Sequence, residues 1–90
     1  MKAYLVTYNL KNYTKYYLPL STRLKKFPRW AKLFQRTWVI CSSLPVSRIR
    51  TILSNKIEDE GRIIVVEITG SNWAALNIDD DVVEWLKENI

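Results

Sequence analysis

Along the chain, hydrophobic positions change period several times, and each change marks an element. Residues 2 to 9 alternate: Tyr4, Val6 and Tyr8 fall on one parity and Ala3, Leu5 and Thr7 on the other, the period of two of a strand. Both parities are largely apolar, which predicts a central strand. The stretch LKNYTKYYL that follows reads as a polar and aromatic connection. Pro19 then fits the first turn of a helix, where its missing N–H is not needed. Leu20, Leu24 and Phe27 recur at i, i+4 and i+7 as a buried stripe, Arg23, Lys25 and Lys26 take the solvent side, and Pro28 ends the pattern. From Trp30 to Ser42 alternation returns, as two strands or one long bent strand, with a tight turn available in FQRT. SSLP opens a second helix, with Ser42 or Ser43 as cap and Pro45 in its first turn. Its predicted buried side is Val46, Ile49, Ile52 or Leu53, and Ile57. After the polar turn EDEGR, RIIVVEI is apolar at nearly every position, as in a buried strand. TGSNWAALN reads as a loop, and Asp79 to Asp81 precede a last helical pattern of Val82, Val83, Leu86 and Ile90.

The order β-α-β-β-α-β plus a C-terminal helix predicts an α+β fold: one ferredoxin-like domain over residues 1–90, two layers with helices on one sheet face. No repeat, linker or low-complexity tract divides it. Apolar side chains such as Tyr4 and Tyr8 on both parities imply that a bare second face exposes a large apolar patch. A twofold partner, the C-terminal helix or bases stacked on Tyr4 and Tyr8 would cover it.

The composition, 48 % hydrophobic and 26 % charged with 2 Gly and 3 Pro, is that of a globular chain. A core of this size buries roughly 60 to 65 % of the unfolded surface. Cys41 is the single cysteine, so no internal disulfide is expected. Its apolar setting in WVIC suggests a buried thiol in a reducing compartment, the cytoplasm. The N-terminal run is too short and too polar for a signal-peptide core, and no apolar stretch approaches a membrane span of about 18 residues.

Charge changes the picture more than composition does. The net charge is +5, yet residues 1–57 hold twelve Lys and Arg and no Asp or Glu, while residues 58–90 hold all nine acids against Arg62 and Lys87. That asymmetry is expected of a surface that binds polyanions, provided folding does not interleave the two signs.

Residue types exclude much chemistry. With no His, there is no His general base, triad or His-ligated metal; one Cys cannot build a thiolate zinc site, and two glycines make no phosphate loop. The remaining enzyme chemistry is carboxylate-held Mg²⁺. Glu58, Asp59 and Glu60 have a metal reading and a plainer one as a solvated turn. Asp79, Asp80 and Asp81 are accounted for by capping and by negative charge at the positive end of a helix dipole. Glu67 is expected to pair with Arg or Lys across the sheet. No metal or cofactor is expected. KKFPRWAKLFQRTW interleaves Lys25, Lys26, Arg29, Lys32 and Arg36 with Phe27, Trp30, Phe34 and Trp38, a mixture suited to phosphates and to stacking. The competing reading makes the aromatics core, with the basic side chains lying over them. It fits Trp38, while Trp30 at an element junction suits either role. Lys11, Lys15, Arg23, Arg48 and Arg50 add charge, and Tyr13, Tyr16 and Tyr17 are candidate sugar, phosphate or interface contacts.

YLVTYNL, RTWVI, GSNWA and EWLKENI together resemble a family of small bacterial proteins labelled SinR-like. That family is similar in layout to CRISPR-associated protein two and to the toxin-like ribonuclease VapD. The resemblance covers nearly the whole chain and implies a ferredoxin-like protomer that dimerises and binds duplex DNA or RNA along a basic surface. In nuclease-competent relatives an Asp ends the first strand in a YD pair as the metal-binding residue; this chain has Tyr8-Asn9. An amide brings no negative charge, and no other acid lies in the first 57 residues. Asn9 is therefore expected to cap the turn rather than serve hydrolysis. The expected function is a homodimer binding the nucleic-acid backbone without nuclease activity. The alternatives are a VapD-type, metal-dependent endoribonuclease, a protein-interaction module of phage or mobile-element origin, and a single-strand binder stacking bases on Tyr4 and Tyr8.

Overall fold

The computed structural model describes residues 1–90. Its elements are β1 (Lys2–Asn9), α1 (Tyr13–Leu24), β2 (Arg29–Phe34), β3 (Thr37–Ser42), α2 (Val46–Ser54), β4 (Arg62–Glu67) and α3 (Asp80–Asn89). The strands form one antiparallel sheet in the order β2-β3-β1-β4. The chain is thus an α+β protein with three helices on a four-stranded sheet. No helix is long and apolar enough to cross a membrane.

The alternation in β1 decides the layers. Tyr4, Val6 and Tyr8 join Trp38 and Ile40 of β3 in a core closed by Leu20 and Leu24 of α1, Phe27, and Ile49 and Leu53 of α2. Tyr4 donates its hydroxyl to the Leu44 carbonyl at 2.6 Å. The Tyr8 oxygen accepts from Trp38 Nε1 at 3.2 Å, so both phenols are buried with partners. Base stacking on Tyr4 and Tyr8 is thereby ruled out: their rings lie under the two helices, not on the open face. That second face carries Ala3, Leu5, Val39 and Cys41. α3 lies over its β2 side, where Arg29 donates to Asn89 Oδ1 at 2.9 Å and Leu86 is buried.

Four local expectations change. First, α1 begins at Tyr13, not at Pro19, so the expected connection is helical and Pro19 sits inside the helix. An interior Pro removes one backbone hydrogen bond. The start is fastened instead by Asn12, whose Oδ1 accepts from Lys15 N at 3.2 Å, and by the Glu58 carboxylate, which accepts from the Lys11 and Asn12 amides. Capping therefore falls to Asn12, while Asn9 ends the strand opposite Arg62. Second, Trp30 to Ser42 forms two strands, and a bulge between Lys32 and Phe34 moves Phe34 to the second face, opposite Thr37. Third, Pro45 is the cap residue of α2 without a side-chain cap bond, and Ser42 Oγ accepts from Leu44 N instead. Fourth, RIIVVE is an edge strand. Ile64 is 56 % and Val66 43 % exposed, because α2 covers only one face of β4 and α3 lies at the far side of the sheet.

Glu58 links β4's approach to the start of α1. Its burial pushes the carboxyl up, but the amides of Asn12, Glu58 itself and Lys11, with the Lys11 charge, outweigh this and hold it below its ordinary 4.5. A depressed carboxylate contributes stability above the unfolded-state value that is lost as pH falls through the folded one. Glu58→Gln is expected to lower Tm at neutral pH, since the amides of Lys11 and Asn12 lose a charged acceptor. The two melting temperatures should converge in acid, as read by circular dichroism melts from pH 7 down to about pH 2.5.

Candidate nucleic-acid interface

The side chains proposed from sequence gather where α1 meets the β2–β3 hairpin. Helical spacing stacks Tyr13 on Tyr17, centroids 4.9 Å apart. Strand alternation turns Trp30 and Lys32 toward the same layer, opposite Ile40 and Trp38. Lys32 Nζ donates to the Tyr17 hydroxyl at 2.7 Å and lies 4.8 Å over that ring and 5.9 Å from Trp38. Arg36, in the two-residue turn between β2 and β3, lies 5.0 Å over Tyr13. Lys25, just after α1, sits 5.5 Å over Trp30, which tilts against Trp38 at 5.6 Å. Along the helix, Arg23 covers Phe27 at 4.8 Å and Lys15 covers Tyr16 at 5.3 Å. Each ring supports a cation, so the long side chains are held while their charged ends meet solvent. Trp38 is core, and Trp30 packs on Trp38 while remaining 38 % exposed.

Acids reach this side only at the start of α1, where Glu58, Asp59 and Glu60 share a surface depression with Lys11, Lys15 and Tyr16. Three ion pairs form: Lys2 with Glu67 at 3.6 Å, Lys11 with Glu60, and Lys87 with Glu84 at 3.9 Å. Lys15, Arg23, Lys25, Lys26, Lys32 and Arg36 have no carboxylate partner. Asp79, Asp80, Asp81, Glu84 and Glu88 ride on α3 behind the sheet, and Glu67 pairs across it as expected. The structure also separates some sequence candidates. Lys11 is bound to Glu60. Arg29 points to α3. Arg48 and Arg50 stand on α2, with Arg50 beside β4 at the other end of the sheet. Conversely, Lys56 shares a surface groove with Arg23 and Lys26. Nothing in the sequence signals that neighbour, 30 residues beyond Lys26.

Catalytic candidates are few. Asn9 is exposed beside Thr7, Tyr8, Arg62, Ile63 and Ile64, a setting with no acid. No group of three or more His, Cys, Asp or Glu is placed to hold a metal ion. Glu58 is committed to backbone amides. Burial pushes the Tyr8 hydroxyl above 10.0, against the Trp38 hydrogen bond. Burial also pushes the Cys41 thiol above 9.0, against the nearby Arg29 and N-terminal charges. Neither is an activated proton donor or nucleophile near neutrality.

No protein-family model, curated protein or solved structure matches this chain.

Proposed function

We propose that this chain is a small homodimeric protein that binds the backbone of duplex DNA or RNA, without sequence preference and without cutting it. One observation supports the reading above the others: the cations Arg23, Lys25, Lys26, Lys32 and Arg36 of α1, its C-terminal end and the adjoining hairpin have no carboxylate partner. A continuous unneutralised set of this kind draws polyanions by counterion release. Their underlying rings are already covered by protein cations, which leaves charge for phosphates rather than open faces for bases. Within this reading the fold is taken as ferredoxin-like, which the β-α-β-β-α-β element order supports, and the chain as a non-hydrolytic relative in layout of CRISPR-associated protein two. Asn9 with Arg62 opposite, and no acid beside them, argues against the VapD-type ribonuclease.

A second reading, a protein-interaction module, draws support from the second face. There a cleft of about 340 Å³ under α3 is lined largely by apolar groups, with Phe34, Trp73 and Leu76 exposed at it. In the first reading that surface seats a second copy. Light scattering on purified protein, freed of nucleic acid, is expected to give twice the 10.7 kDa chain mass; a monomer at micromolar concentration removes the dimer from the proposal.

A further inference from the structure

The two edges of the sheet are built differently. The β2 edge carries Arg29, Lys32 and a bulge between Lys32 and Phe34, features that discourage another strand from adding. β4 has no bulge, and its charges stand only at its two ends. It keeps an unbroken register with β1 from Arg62 to Glu67, contains no Pro or Lys, and is β-branched from Ile63 to Val66. Tyr8 N bonds to Arg36 O on the β3 side, whereas Ile68 N bonds to Ala3 O on the β4 side. By the alternation of an antiparallel ladder, Arg62, Ile64 and Val66 turn their backbone groups toward β1. Ile63, Val65 and Glu67 turn theirs outward.

Beside that outward row, α2 and β4 bound a groove of about 270 Å³ lined by Val46, Ser47, Arg50 and Ile63 to Val65. Arg48, Arg50 and Arg62 have no carboxylate partner, and the one acid of β4, Glu67, is held by Lys2 at 3.6 Å. We infer that the outer edge of β4, with the α2 groove beside it, docks an extended acidic segment of a partner polypeptide, which adds to the sheet as a fifth strand. The backbone row selects a strand, since only another main chain matches its donors and acceptors. Exposed Ile64 and Val66 select apolar side chains on the second face, and Arg50 selects an acid on the helix face. A second copy fits less well: it brings the same arginines to the seam, and its β4 acid is already paired. The site lies at the sheet edge opposite β2, away from the cations of the proposed duplex surface.

The test uses the full chain and a fluorescein-labelled, end-capped heptapeptide alternating Glu and Val, read by anisotropy. Saturable one-site binding is expected, weakened roughly tenfold by Arg50→Glu. It should be lost when the peptide is N-methylated at alternate residues and lost again with Val65→Pro, which removes an outward N–H. Should Val65→Pro fail to fold, the methylated peptide and Arg50→Glu decide alone. The proposal is overturned by absent or unsaturable binding, by equal binding of the methylated peptide, or by equal binding of an all-Glu heptamer. It is also overturned if the edge proves to be occupied by a second copy, with Val65→Pro halving the mass of a wild type that ignores the peptide.

Discussion

Trp38→Ala is expected to lower Tm by roughly 15–30 °C, leaving the chain largely unfolded at physiological temperature. Trp38 is fully buried at the junction of both layers. Its ring supports Trp30 and Lys32, and its Nε1–H is the donor to the buried Tyr8 hydroxyl. Truncating a buried Trp costs about 3–5 kcal/mol, against a total of about 5–15 kcal/mol for a domain of this kind. Trp38→Phe separates the two contributions. It keeps an aromatic filler but leaves Tyr8 without its donor, a cost of about 1–3 kcal/mol. Denaturant melts followed by circular dichroism measure both. A Trp38→Ala variant as stable as wild type would mean that the core is organised around something other than this ring.

The second large effect concerns binding. Replacing Lys25, Lys32 and Arg36 together by Glu is expected to abolish duplex binding, a loss of at least about 10³ in affinity, because three attractions become three repulsions on one surface. The choice of residues separates this surface from other basic sites. Arg48→Glu with Arg50→Glu makes two of the three charge reversals but lies on α2, and is expected to weaken binding less than about tenfold. Electrophoretic retardation of a 30-base-pair duplex by each variant at low salt reads the contrast. Equal losses in the two variants would mean that net charge alone draws nucleic acid. Fold integrity is checked by Tm, since Lys32 also donates to Tyr17.

Part of this architecture is written in local pattern. The alternation of residues 2 to 9 marks β1 as central because both parities are apolar, and Trp38 reads as core because its neighbours in WVIC are. The stripe Leu20, Leu24 and Phe27 is found buried as its spacing predicts. What local pattern does not carry is partnership over distance. The start of α1 depends on Glu58, a carboxylate 46 residues from Asn12, so local pattern alone places the first turn at Pro19. RIIVVE has the same letters whether it is buried in a sheet or forms an edge with one face open. Only the placement of α3 over β2 decides between them. Lys11 belongs to the same basic run as its neighbours until Glu60 is brought beside it. The pairing of Lys32 with Tyr17 and Arg36 with Tyr13 follows from α1 meeting the β2–β3 hairpin, which no single stretch contains.

Duplex binding rests on cations that fold onto one side and stay unneutralised, and its most direct test is the salt dependence of duplex affinity for the wild-type chain. With roughly six phosphate contacts, log K plotted against log salt should fall with a slope of about −5, a loss near 10³ between about 50 and 200 mM. Random-sequence duplexes should bind alike. A flat plot, or no binding at the lowest salt, contradicts the account.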